Sequence, residues 1–276
     1  MGIRTLGGAA MLAILCGVVF FAPIWVLPIA IGIMSAIGVH EMLCATGIIH
    51  LNKRIIVYAM LFAMLVPAWV YYGEGQSWGV VLGLLIYTML LFVEGMIGSS
   101  EASFDKLCIA FFAGVVIPYF FSSFIRIILM QERSFEGRLL LLYPILGAFG
   151  SDVFAYLFGR AFGKHKLAPV ISPNKTVEGS IAGFVMAPVV CVLYTLVLDI
   201  PMGYTMNYGA AIVIGVASAF AGQLGDLSLS FVKRQSGIKD FGKIIPGHGG
   251  VLDRFDSVLF TAPLVELLMT LFPIML

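Results

Sequence analysis

Residues 207–232 read NYGAAIVIGVASAFAGQLGDLSLSFV, and residues 233–256 continue as KRQSGIKDFGKIIPGHGGVLDRFD. The first segment is apolar and long enough to cross a hydrocarbon core about 30 Å thick. The second is rich in charge and glycine, and an apolar run follows it to residue 275. Because glycine lets successive backbone N–H groups point into one concavity, Pro246–Gly250 predicts an anion-binding turn at a membrane surface.

The composition extends this pattern to the whole chain. Its 276 residues are 61% hydrophobic and 11% charged, with a mean hydropathy of +1.05, whereas soluble domains carry about 25% charged residues. The sequence therefore predicts an all-α, polytopic integral membrane protein. The four cysteines lie in or beside apolar segments with no C-x-x-C spacing, which predicts buried thiols and neither a zinc site nor a disulfide framework.

We expect about nine transmembrane helices in a single membrane domain, residues 1–276. Residues 1–150 form scaffold spans and residues 151–257 carry the motifs. The apolar run at the N-terminus continues to about Val39, which is too long for the apolar core of a signal peptide. The expected spans are 6–22, 24–39, 54–72, 78–97, 105–130, 138–162, 179–199, 207–232 and 251–275.

The basic residues predict the orientation of these spans. With nine spans, 13 of the 16 lysines and arginines fall on one face, and only Arg126, Arg133 and Arg138 fall on the other. Cytoplasmic loops carry such an excess of positive charge. We therefore expect the N-terminus and the two longer polar loops, 163–178 and 233–250, to lie in the cytoplasm.

Acidic residues inside apolar spans predict a functional site, because an ionisable group in the membrane is costly and usually faces a partner or a cavity. Asp152 and Asp226 lie in the sixth and eighth spans. On a helix, Asp226, Ser230 and Lys233 share one face, and the i, i+3 spacing of Asp253 and Asp256 predicts a shared face at the start of the ninth span. Carboxylate oxygens are the ligands that Mg²⁺ prefers, so these four carboxylates predict a magnesium site.

The loop at 163–178 supplies further candidates. Thr176 is predicted to cap the following helix, with Glu178 in its first turn, and Lys175 lies where a phosphate could meet a helix N-terminus. The alternatives are a basic loop that only contacts anionic lipid, and simple ion pairs such as Asp253–Arg254 or Asp226–Lys233. No role is assigned to Glu41 or Glu94.

The motifs resemble the signature of the CDP-diacylglycerol synthases, also called phosphatidate cytidylyltransferases. The resemblance rests on Ser230-x-Val232-Lys233-Arg234, Lys239-Asp240-x-Gly242 and Ile245-Pro246-x-His248-Gly249-Gly250-Val251-x-Asp253-Arg254-Phe255-Asp256, with support from residues 172–179. It implies the reaction of CTP with phosphatidate to give CDP-diacylglycerol and diphosphate at the cytoplasmic face, with Mg²⁺ and room for a second cation.

On this resemblance and the chemistry of the residues, we expect three groups of site residues. The catalytic candidates are Lys233, Lys239, His248 and Arg254. The metal candidates are Asp226, Asp253, Asp256 and Asp152. The substrate-binding candidates are Ser172, Asn174, Lys175, Thr176, Glu178, Ser230, Arg234, Asp240, Gly249 and Gly250.

The expected partners are CTP, phosphatidate and membrane lipids, with no nucleic acid, and a homodimer is left open. The expected location is a bacterial inner membrane. A CTP-dependent polyprenol or lipid kinase, which would transfer the γ-phosphoryl group, is the alternative enzyme. A transporter is the alternative class, although its ionisable groups would be expected to span the bilayer, whereas here they cluster at one face.

Overall fold

The computed structural model describes residues 17–48, 53–73, 76–97, 103–242, 244 and 249–275. Helices dominate these residues, with one two-stranded sheet among them, which confirms the predicted all-α class. The chain divides into two compact units. Unit 1 comprises residues 1–134 and 235–255, and unit 2 comprises residues 135–234 and 256–276. The single-domain organisation stays a prediction.

Unit 1 is built from apolar helices that pack along one another. In its core the ring of Phe62 stacks on that of Tyr87, with 5.0 Å between centroids, and the Tyr87 hydroxyl donates to the Ala110 carbonyl at 2.7 Å. A π-helix, Gly17–Phe21, precedes them. The α-helices are α1 (Val26–Ala45), α2 (Lys53–Tyr72), α3 (Trp78–Ile97), α4 (Phe104–Phe121) and α5 (Ser123–Leu129).

Unit 2 combines long helices with a hairpin. Small residues let its helices approach closely, since Gly147 faces Ser218 and Gly215 lies against the backbone of Pro188. The elements in chain order are α6 (Phe135–Leu140), α7 (Leu142–Phe162), β1 (Lys166–Ala168), β2 (Ser172–Thr176), α8 (Val177–Asp199), α9 (Tyr208–Gln235) and α10 (Asp256–Leu271).

Seven segments within the described residues are long and apolar enough to cross a membrane, and they match the second to eighth predicted spans. They are Val26–Ala45, Lys53–Tyr72, Trp78–Ile97, Phe104–Leu129, Phe135–Phe162, Val177–Asp199 and Tyr208–Gln235. The first predicted span lies mostly outside the described residues. The ninth is shorter than expected, because α10 begins only at Asp256 and has 16 residues. The count of nine and the cytoplasmic N-terminus stay predictions.

Residues 163–178, which we predicted to form a polar loop, contain a two-stranded β-hairpin. β1 and β2 pair antiparallel, with Lys166 opposite Thr176 and Ala168 opposite Ser172. This hairpin is hard to predict from sequence, because its strands are short and lack the run of β-branched and aromatic residues that marks most strands. The predicted cap is confirmed: the Thr176 hydroxyl accepts a hydrogen bond from the Gly179 N–H at 3.2 Å.

The close approach of α8 and α9 at Gly215 should be essential for stability. A methyl group at this position would collide with the Pro188 backbone, so Gly215→Ala is expected to lower the free energy of unfolding by about 1–3 kcal/mol. Thermal unfolding of the detergent-solubilised protein measures the change. Gly209→Ala is the control, because Gly209 is exposed in the first turn of the same helix. Equal melting temperatures for the two variants would contradict the packing.

Candidate active site

Three carboxylates come together in unit 2. Asp152 lies on α7, Asp226 on α9 and Asp256 at the first residue of α10. They are close enough for each pair to interact electrostatically. The sequence predicted that these side chains converge, and the structure brings them together from three different helices.

Two lysines offset this negative charge. Lys175 of β2 places its Nζ 2.5 Å from Asp226 Oδ2, and Lys233 in the last turn of α9 places its Nζ 3.9 Å from Asp256 Oδ2. Lys233 is 8% exposed. We call Asp152, Asp226, Asp256, Lys175 and Lys233 the charged cluster. Asp226 thus pairs with Lys175, and its pairing with Lys233 stays a prediction.

Two hydroxyl groups complete the surroundings of the carboxylates. The Ser230 hydroxyl, one helical turn after Asp226, donates to Asp226 Oδ1 at 3.2 Å, as the i, i+4 spacing predicted. The Ser257 hydroxyl interacts with the Asp152 carboxylate. The Ser230–Asp226 contact lies within α9, whereas the Ser257–Asp152 contact joins α10 to α7.

The sequence analysis missed the buried side-chain amide of Gln223. Gln223 Nε2 donates to the Ser151 hydroxyl at 3.3 Å and to the Ser180 carbonyl at 3.1 Å, and the Ser180 hydroxyl donates to Gln223 Oε1. This one side chain joins α7, α8 and α9. Its position in an apolar span three residues before Asp226 was the available signal.

The hairpin is held against α8 and α9 by side chains of the polar segment. The Glu178 carboxylate accepts hydrogen bonds from the backbone N–H of His165, at 3.2 Å, and from its ring Nδ1, at 2.7 Å. Arg234 Nε donates to the Ile171 carbonyl at 3.2 Å. These contacts fix the strand that carries Lys175.

The glycine-rich turn belongs to unit 1, and the N–H groups of Gly250 and of neighbouring residues donate to carboxylates of the protein itself. Asp253 Oδ2 accepts from the N–H of Phe241 at 2.8 Å and of Gly250 at 2.9 Å. Glu41, near the end of α1, accepts from the N–H of Val251 through Oε1 at 3.0 Å and of Leu252 through Oε2 at 2.8 Å. Glu41 has a contact role that the sequence analysis did not assign.

These contacts correct one expectation about Asp253. It does not share a helix face with Asp256, because α10 begins at Asp256 and Asp253 lies in the preceding turn. The physical reason is that an aspartate side chain can hydrogen-bond nearby backbone N–H groups in place of helix formation. Its role as a metal ligand stays a prediction.

The other candidates lie in varied surroundings. Arg254 has a buried Nε that finds no hydrogen-bond acceptor among the described residues. His248 lies outside the described residues. Exposed candidates are Asn174, Arg234, Lys239 and Asp240, and Ser172 is half-buried.

Among the described side chains, no group of three or more acidic, histidine or cysteine residues already forms a metal-binding arrangement. Cys44, Cys108 and Cys191 are free thiols; Cys191 is buried as expected, Cys44 is half-buried, and the expectation is wrong for Cys108, which is exposed. The charged cluster consists of carboxylate and ammonium groups; in general, carboxylates are ligands of hard cations and ammonium groups bind phosphate oxygens.

Comparison with known proteins identifies the family. A sequence profile described as "Cytidylyltransferase family" matches residues 2–272. Proteins named phosphatidate cytidylyltransferase are 39% identical to this chain in Staphylococcus haemolyticus, 40% in Staphylococcus saprophyticus and 39% in Staphylococcus aureus, each over 186 residues. Each alignment covers 67% of this chain and 65% of the relative, a little under two thirds of its length. The chain belongs to the Cytidylyltransferase family.

Proposed function

We propose that this protein is a phosphatidate cytidylyltransferase, which converts CTP and phosphatidate to CDP-diacylglycerol and diphosphate. The observation that carries the proposal is the charged cluster, in which Asp152, Asp226 and Asp256 meet Lys175 and Lys233 within a bundle of apolar helices. Membership of the family and the names of the staphylococcal relatives support the same reaction.

The proposed reaction needs positioning and charge neutralisation more than acid–base chemistry. A phosphate oxygen of phosphatidate attacks the α-phosphorus of CTP, and the bond from that phosphorus to the bridging oxygen breaks as diphosphate leaves. The attacking group is already anionic near neutral pH, so no strong general base is required. Two polyanions must instead be held in line, which cationic side chains in a fixed arrangement accomplish.

The lysines are suited to this task. Lys175 Nζ is buried and forms a close ion pair with the Asp226 carboxylate. In our proposal Lys175 and Lys233 turn donors toward substrate phosphates. Arg254 of the motif is a further candidate for phosphate binding, since its buried Nε has no hydrogen-bond acceptor among the described residues. Lys239 and Arg234 are exposed and would contact the phosphates that enter from solvent, with His248 as a further hydrogen-bond donor.

The proposal includes Mg²⁺ at the carboxylates. The donor set fits a hard cation, because Asp152, Asp226 and Asp256 supply carboxylate oxygens that repel one another and that Lys175 and Lys233 offset in part. When bound, Mg²⁺ would neutralise phosphate oxygens and act as a Lewis acid. It would have to share Asp226 and Asp256 with the lysines that now contact them. Asp253 remains a further candidate ligand, as does a second cation.

The lengths of the helices support a site near a membrane surface. The 28 residues of α9 extend about 42 Å, which exceeds a hydrocarbon core of about 30 Å. Asp226 lies more than two turns from the end of α9, and Lys233 lies in its last turn. We therefore propose that phosphatidate enters from the lipid leaflet and CTP from the cytoplasm of a bacterial cell.

The position of the radiolabel tests the proposed reaction. Purified protein incubated with phosphatidate, Mg²⁺ and CTP labelled at the α-phosphorus should transfer label to the lipid and release unlabelled diphosphate. CTP labelled at the γ-phosphorus should leave the lipid unlabelled. Transfer of the γ-label would identify the lipid kinase instead, and the absence of any transfer would refute both enzymes.

The charged cluster should be essential for turnover. Asp226→Asn keeps the side-chain size but removes the charge that Lys175 faces, so we expect kcat/KM to fall by about 10²-fold or more. Asp199→Asn is the matched control: Asp199 ends α8 and accepts a hydrogen bond from the Tyr208 hydroxyl, and we expect its activity to stay within about threefold of wild type. Full activity in Asp226→Asn would contradict the assignment of the site.

Removal of divalent cations tests the metal proposal by two readouts. Chelation with EDTA should abolish diphosphate release, and added Mg²⁺ should restore it, because the substrate phosphates lose their charge neutralisation. In the absence of substrates, Mg²⁺ should raise the melting temperature of the wild-type protein but not that of Asp256→Asn. Equal stabilisation of both proteins would show that the cation binds elsewhere.

A further inference from the structure

Glu41 is a buried carboxylate outside the charged cluster. It lies near the end of α1, is 2% exposed, and belongs to unit 1. Both of its oxygens accept backbone N–H groups, from Val251 at 3.0 Å and Leu252 at 2.8 Å. A carboxylate on a membrane-spanning helix is costly to bury, and here its charge is offset by a turn distant in the sequence.

The turn is shaped to admit this carboxylate. A Cβ atom at either Gly242 or Gly250 would collide with the Glu41 carboxylate. Gly249 has φ +87°, a conformation that favours glycine. Gly242 and Gly250 therefore leave space for the Glu41 carboxylate, whether or not a substrate also approaches the turn.

Asp253 holds the turn from its other side. Its Oδ2 accepts the N–H of Phe241 and of Gly250, and the side chain is 6% exposed. We call Glu41 and Asp253 the carboxylate clip. Between them the clip binds backbone N–H groups at residues 241, 250, 251 and 252 and holds the chain at these positions.

We propose that Glu41 is a positioning residue for the reaction: its carboxylate holds the backbone of residues 250–252 so that Arg254, two residues further on, is presented in one orientation. The proposal rests on the cytidylyltransferase activity proposed above. Glu41 would act through the turn and would touch neither CTP nor phosphatidate. A displacement of about 1 Å at a reacting group can lower a rate by about 10²-fold, so this indirect role is large enough to measure.

The isosteric variant Glu41→Gln tests this role. An amide keeps the volume but presents an NH₂ group where one oxygen stood, so one backbone N–H of the turn loses its acceptor. We expect kcat to fall by about 10-fold or more, while KM for CTP changes by less than about threefold. We also expect faster amide hydrogen exchange at residues 250–252.

Glu94→Gln is the matched control. Glu94 is also a buried carboxylate on a membrane-spanning helix of unit 1, at 6% exposed, but it contacts the side chains of Arg54 and Tyr58. We expect Glu94→Gln to leave exchange at 250–252 unchanged. If both variants lower kcat and the melting temperature alike, or if Glu41→Gln keeps wild-type kcat, the positioning role is overturned.

Measurements on the unaltered protein keep the proposal testable should Glu41→Gln not fold. The amides of Val251 and Leu252 should exchange much more slowly than those of the exposed residues Lys239 and Asp240. Equal exchange rates would overturn the clip. Hydrogen exchange does not depend on turnover, so it tests the clip independently of the proposed reaction. A failure of the proposed reaction would appear instead as the absence of label transfer by the wild-type protein.

A double-mutant cycle tests the contact itself. Gly250→Ala should reduce kcat strongly in the wild-type background because its methyl group meets the Glu41 carboxylate. In a Glu41→Ala background the carboxylate is gone, so the same substitution should cost at least about threefold less. Additive effects of the two substitutions would show that Glu41 and Gly250 do not interact.

Discussion

A carboxylate buried among apolar helices destabilises a protein unless a cation or several hydrogen-bond donors offset its charge. Both units meet this constraint, in different ways. In unit 2, Lys175 and Lys233 lie against Asp226 and Asp256. In unit 1, backbone N–H groups surround Glu41 and Asp253. In unit 2 the partners of the carboxylates are charged side chains that can move to another anion. In unit 1 the partners are backbone N–H groups, which are part of the fold itself.

This difference distinguishes a site that can bind and release a substrate from a contact that only supports the fold. Ammonium groups on lysine side chains can leave one anion for another, because their stems have many rotamers and the charge is a compact point. Backbone N–H groups cannot do so without a change in the chain itself. A site that must bind, turn over and release phosphates is therefore expected at the lysine-paired carboxylates, and a fixed support is expected at the N–H-bound ones.

Sequence reasoning found the fold class and most of the charged cluster, because both depend on local signals. Apolar runs predict spans, and the cost of an aspartate within a span marks Asp152 and Asp226. Sequence reasoning could not predict that Lys175 pairs with Asp226, because Lys175 lies on a hairpin whose short strands carry no clear periodicity. Glu41 was also missed, because its partner Val251 is 210 residues away and no local pattern links a carboxylate to distant backbone donors.

The glycine-rich turn illustrates how a correct signal can indicate a different ligand. A Cβ atom at Gly242 or Gly250 would collide with the Glu41 carboxylate, so at these two positions glycine makes room for an anion that belongs to the protein itself. A buried carboxylate repels phosphate and already occupies the donors of residues 251 and 252. These N–H groups are therefore unsuited to hold a triphosphate. In the proposed function, substrate phosphates are instead bound by side-chain cations, such as Lys175 and Lys233 beside the carboxylates of unit 2.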